Sequence, residues 1–115
     1  MPIFVRRVYD PAQPSDGRRI LVDRVWPRGL SKDKAALDAW MRDVAPSTAL
    51  RQWFDHRPER WDIFRQRYRA ELALLPAVLE PLRDLAAKEH VTLLFGARDT
   101  VHNQAVALKD ILENP

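Results

Sequence analysis

The residues best equipped for chemistry stand in one run, Asp23-Arg24-Val25-Trp26-Pro27-Arg28-Gly29. An extended chain alternates its faces, so Arg24 and Trp26 point one way and Asp23 and Val25 the other. Each face then carries one charge beside apolar neighbours. A charge inside a covered strand is costly unless paired, so Asp23 and Arg24 are expected to be largely buried and bonded to polar groups. Arg24 and Arg28 suit a bidentate grip on a phosphate or carboxylate. Asp23 could orient those arginines or serve as a base. A structural ion network that ties the strand end to neighbouring loops fits the same residues.

A second candidate stretch is Gly96-Ala97-Arg98-Asp99-Thr100-Val101-His102-Asn103. Gly96 allows a close backbone approach. Asp99 or Thr100 can cap a following helix, whose free N–H groups attract an anion. His102 would sit in its first turn, where it can act as an acid–base group. Glu71 is the third candidate. It lies beside Phe64 on the edge of an apolar helical stripe, either as a rim residue or as the partner of an arginine. If the strands that carry these segments run parallel, Arg24 or Arg28, Glu71 and His102 converge on one concave site.

Elements that could position these residues follow from the pattern of the chain. Ile3 to Val8, Ile20 to Trp26 and Val91 to Phe95 read as strands. Pro11, Pro14 and Gly17 mark a loop or a single helical turn between the first two. Ser31 is a helix N-cap before Lys32 to Arg42, where Leu37, Trp40, Met41 and Val44 fall at helical spacing. Ser47 caps a short helix through Phe54. Pro58 opens a long one to about Leu75, with Trp61, Phe64, Tyr68, Leu72 and Leu75 as its apolar stripe. A further helix ends by Glu89, and a last one runs from about Val101 to Leu112. Apolar strands without polar alternation suit a sheet covered on both faces. Long helical crossovers favour parallel pairing. The expectation is one α/β domain over residues 1–115: a small, mostly parallel sheet of three or more strands, covered by four to five helices.

The chain has 115 residues and no cysteine. That removes disulfides, thiol catalysis and thiolate metal sites, and argues for a reducing, cytoplasmic setting. Met1 to Tyr9 carries two arginines and no apolar signal core, and no apolar run approaches the roughly 20 residues a bilayer requires. Residues 1–70 carry 15 Lys and Arg against 9 Asp and Glu, whereas residues 71–115 carry 4 against 7. This excess points to an anionic partner or to arginines on solvated helix faces. His56, His90 and His102 lack metal-ligand spacing, and the phosphate-loop, dinucleotide, zinc-protease and nucleophile-elbow templates are absent. No cofactor and no metal is expected.

The run Val22 to Leu30 resembles the signature of the YeaO-like family, a domain of unknown function (DUF488). The likeness continues through Trp40, Ala45-Pro46-Ser47, Leu50-Arg51, Trp53-Phe54, His56, Pro58, Trp61, Phe64, Tyr68 and Glu71-Leu72. It ends with Val91-Thr92-Leu93-Leu94, Ala97, Asp99 and His102-Asn103. The resemblance implies a compact α/β fold in bacterial cytoplasm and supplies no function. It adds Ser47, Arg51, His56 and Asn103 to the candidate polar residues. Arg57 departs from the pattern, which has an acidic residue before the proline. Broader relatives carry a cysteine-histidine-arginine element after the last strand. Here Val101-His102-Asn103 stands in its place, so thiol chemistry is excluded.

Two functional expectations follow. The first is a small anionic ligand at the carboxyl edge of the sheet, with a hydrolase or transferase as its enzymatic form. Asp23, Glu71 and His102 would be the reactive groups, and Arg24, Arg28, Arg51, Asp99 and Asn103 the ligand-binding ones. The alternative is a nucleic-acid or protein-binding module that uses the basic, Trp-rich first two-thirds of the chain.

Overall fold

The first strand, β1 (Ile3–Arg7), is followed by a single 3-10 turn at Pro14–Asp16 and then by β2 (Arg18–Leu21). One helical turn, α1 (Lys32–Ala35), leads into the two-residue β3 (Ala39–Trp40). Three helices follow, α2 (Thr48–Phe54), α3 (Trp61–Ala73) and α4 (Pro76–Lys88), before β4 (Val91–Phe95) and α5 (Gln104–Glu113). This is a computed structural model, which describes residues 3–115.

The sheet is parallel throughout, in the order β1-β4-β2-β3. Ile3 pairs with Val91 and Arg7 with Phe95 on one side of β4, and Arg18 pairs with Val91 and Leu21 with Leu94 on the other. β4 is therefore an inner strand, and its five residues are all buried, as its apolar run Val-Thr-Leu-Leu-Phe requires. Because every strand points the same way, Arg7, Leu21, Trp40 and Phe95 all end at one edge.

Each face of the sheet buries its own cluster. Ile20, Val22, Leu93 and Phe95 join the cluster that α2 to α5 close with Phe54, Phe64, Tyr68, Leu82 and Leu108. Leu21 and Leu94 face the other way, into a smaller cluster with Val8, Ala35, Trp26 and Trp40. The stripe of α3 holds for Phe64, Tyr68 and Leu72, all buried, with Trp61 half-buried at its start. Phe64 stacks on Phe54 at 4.4 Å. The Tyr68 hydroxyl donates to the Val44 carbonyl, and burial raises its pKa well above the usual phenol. Leu75 leaves the stripe: α3 ends at Ala73, and Leu75 is half-exposed where α4 begins. No helix among the described residues is long and apolar enough to cross a membrane.

Three expectations are corrected. β2 stops at Leu21 rather than Trp26, because Val22 makes the last ladder bond, to the Leu94 carbonyl at 3.1 Å. Beyond it β4 ends at Phe95, and the chain after Val22 makes no further backbone ladder bond to β4 among the described residues. The helix expected over Lys32 to Arg42 is one turn, closed by Ala36 at φ 48°. Asp38 then accepts from the Arg19 N–H at 2.8 Å and draws the next residues to the edge of β2, so sheet pairing overrides the helical spacing. The buried ion network lies at the opposite end of β2 from Asp23 and Arg24. There Asp16 accepts from Arg19 at 2.5 Å and from Arg6 at 2.7 Å, with Asp16 and Arg19 about 95% buried.

Candidate functional site

The chain leaving β2 and the chain leaving β4 meet at the carboxyl edge. There the Gly96 N–H donates to Asp23 Oδ2 at 2.9 Å, and Gln104 of α5 donates to Oδ1. A side chain at position 96 would place its Cβ 2.8 Å from Asp23 Oδ2, so glycine is what permits the approach. Burial pushes the Asp23 carboxyl up to about 6, against the opposing pull of these two hydrogen bonds and of Arg51. Asp23 is half-buried rather than sealed, and Arg24 likewise.

Arg24 does not pair with Asp23. Its Nε and Nη2 donate to the Pro46 and Ala45 carbonyls, each at 3.0 Å, and so tie the Ala45-Pro46-Ser47 break to the strand end. Arg7, at the end of β1, donates in the same way to the Ala97 carbonyl at 3.0 Å and lies 4.9 Å over the Tyr9 ring. The Tyr9 hydroxyl holds the Arg28 carbonyl at 2.7 Å, and Gly29 supplies the φ of 70° that turns the chain. Trp26 and Trp40 fix the same segment through Nε1 bonds to the Leu30 and Asp23 carbonyls.

Around Asp99 the structure corrects the expected helix start. Asn103 is the N-cap of α5, its Oδ1 accepting from Val106 N at 3.0 Å, and its Nδ2 donates to the Asp99 carbonyl. Asp99 closes the preceding turn instead. It accepts from the Val101 and His102 N–H groups and from His102 Nδ1, all at 2.9 Å, and these bonds hold its carboxyl down to about 2. With Nδ1 donating, the neutral His102 ring keeps its lone pair on Nε2. The ring stands edge-on to Trp61 at 5.4 Å.

A cleft of about 630 Å³ opens on this edge. It brings together Asp23, Arg24, Arg28, Arg51, His102 and Asn103. Asp99 reaches it through His102. Glu71 does not join them: its Oε1 accepts from Ser47 N at 2.9 Å and Oε2 from Ser47 Oγ at 2.5 Å, in a separate groove beside Trp53 and Arg67. Helical phase placed Glu71 on the stripe edge correctly, but Ser47 lies nearer than either strand-end arginine. Arg7, Tyr9, Arg98 and Gln104 also line the cleft. Of these, Arg98 alone, within the Gly96 to Asn103 loop, carried a sequence signal. His56 lines it too, from a left-handed φ of 52° directly after Asp55 at 49°. Consecutive left-handed residues other than glycine are uncommon and place strain at the cleft wall.

Charge is the dominant property of this cleft. Arg7, Arg24, Arg28, Arg51 and Arg98 line it, with Asp23 the single carboxylate among its lining residues. Among the described residues, no carboxylate lies within 4.0 Å of any of these five guanidinium groups, although eight ion pairs of Arg or Lys occur elsewhere. Arg7 and Arg24 are anchored by neutral carbonyls and so keep their full charge. No group of three or more His, Cys, Asp and Glu among the described residues is placed to hold a metal ion.

Fold and site together define a small parallel α/β domain with an arginine-lined cleft where its strands end. The chain belongs to the DUF488 family: the family described as "Inactive DUF488-N3 subclade" matches residues 2–115. The chain is 46% identical over 114 residues to the "Uncharacterized protein YeaO" of Escherichia coli (strain K12), covering 99% of each chain. It is 44% identical over 110 residues to the "Uncharacterized protein Rv3073c" of Mycobacterium tuberculosis (strain ATCC 25618 / H37Rv), covering 96% of this chain and 92% of that one. No solved structure matches.

Proposed function

We propose that this protein binds a small oxyanion-bearing ligand in the cleft at the carboxyl edge of its sheet, in the cytoplasm, as a binding protein rather than a catalyst. The observation that carries this reading is the set of five cleft arginines without a carboxylate partner. Like charges gathered in a concavity repel one another unless an anion balances them. The side chains of Arg28, Arg51 and Arg98 make no hydrogen bond to another described residue, so their forks are free for a phosphate or carboxylate. Arg7 and Arg24, fixed on backbone carbonyls, cost little further ordering when a ligand arrives. His102, with its tautomer set by Asp99, and Asn103 complete the wall.

Binding without turnover is favoured by what the site lacks. The cysteine of broader relatives is absent, and Glu71 is occupied by Ser47. The description of the matching subclade as inactive agrees. Nucleic-acid binding draws less support. Trp53 has Arg60 and Arg67 on its ring, at 5.1 and 4.6 Å, so the face a base would stack on is covered.

Calorimetric titration with inorganic phosphate tests the proposal, with glycerol as a neutral control and a single-stranded oligonucleotide as competitor. Saturable phosphate binding without glycerol binding is the expected result. Oligonucleotide binding with a steep inverse salt dependence, and none of phosphate, would replace this reading with the nucleic-acid one.

A further inference from the structure

The arginines of the cleft can only donate hydrogen bonds, so they treat all tetrahedral oxyanions of one charge alike. Hydrogen phosphate and sulfate have the same charge and nearly the same shape, yet one keeps an O–H and the other has none. A site tells them apart only by offering an acceptor, and this cleft offers one in Asp23. Each of its oxygens holds a single donor, Gly96 N–H on Oδ2 and the Gln104 amide on Oδ1. A carboxylate oxygen has two lone-pair positions, so each retains one. No cation covers them: Arg24 is turned to the Pro46 and Ala45 carbonyls, and among the described residues no arginine, lysine or histidine nitrogen lies within 4.0 Å of Asp23.

Building on the oxyanion reading above, we propose that Asp23 makes the cleft selective for an oxyanion that keeps an acidic hydrogen, hydrogen phosphate being the simplest, over one that has none. An oxygen bearing a hydrogen donates to Asp23 while the remaining oxygens accept from the arginines. Sulfate must set a bare oxygen against the carboxylate. It pays through repulsion what hydrogen phosphate gains as a charge-assisted hydrogen bond. The partial burial that raises the affinity of Asp23 for a proton also strengthens it as an acceptor. His102 Nε2, the lone-pair nitrogen of a ring fixed by Asp99, adds a second acceptor of the same kind.

The test is calorimetric titration of the full chain with sodium phosphate and with sodium sulfate at matched ionic strength. Both titrations are run at about pH 7.5 in the same buffer. Wild-type protein is expected to bind phosphate at least about tenfold more tightly than sulfate, a gap of about 1.4 kcal/mol. Asp23→Asn, whose amide nitrogen donates, should bring the two anions to near equality by raising the affinity for sulfate. Equal binding of both by the wild type overturns the selectivity and leaves the oxyanion reading standing. Binding of neither overturns both. A preference unchanged in Asp23→Asn removes the assignment to Asp23.

Discussion

The Gly96 N–H donates to Asp23 Oδ2 across 2.9 Å, so the ends of β2 and β4 are joined by a side chain just where the sheet ladder stops. Both residues line the cleft, so the bond fixes the carboxylate within its wall. Gly96→Ala is therefore expected to cost stability, because its Cβ would stand 2.8 Å from Oδ2 and force that bond apart. Loss of the bond and of the packing beside Pro27 should amount to about 1–3 kcal/mol, read as a lowered urea midpoint. A midpoint equal to wild type would show that the loop has room to shift.

Asp23 also predicts a pH dependence. Its folded pKa of about 6 lies above the ordinary 3.8, so the folded state binds the proton more tightly than the unfolded chain does. The stability from this group is then fully present below the unfolded value and is lost as pH rises from about 4 to 6, by about 2–3 kcal/mol at most. Asp23→Asn should remove that slope. Denaturant melts at intervals across this range measure it, and identical profiles for the two proteins would contradict the assignment.

Glu71 provides the contrasting case. Its carboxylate holds both the N–H and the hydroxyl of Ser47, the N-cap of α2. Glu71→Ala is expected to destabilise by about 1–2 kcal/mol through the weakened cap. It should leave phosphate affinity unchanged, because the side chain lies outside the cleft. Loss of phosphate binding in a folded Glu71→Ala would return this residue to the site.

What the sequence made legible was mostly what local physics decides. β4 is bounded as its apolar run indicates, Ser47 caps α2, and Phe64, Tyr68 and Leu72 share a buried face. The run from Asp23 to Arg28 and the loop from Gly96 to Asn103 meet at one edge because parallel strands put them there. The misreadings have a common cause in partners distant along the chain. Leu37, Trp40 and Val44 keep helical spacing, but Asp38 is held by Arg19, so β3 forms instead. Glu71 had the right phase and the wrong partner. Arg7 was invisible as a site residue because nothing in Ile3–Arg7 says that Gly96 and Ala97 lie beside it.

The central claim is that unpaired cleft arginines hold an oxyanion, and thermal stabilisation tests it most directly. A ligand that binds only the folded state raises the melting temperature, by an amount that grows with the logarithm of its concentration relative to Kd. Inorganic phosphate should raise that of the wild-type protein. It should not raise that of an Arg28→Ala/Arg51→Ala variant, whose fold in the absence of phosphate is intact because neither side chain bonds to another described residue. An equal rise in both proteins would contradict the account.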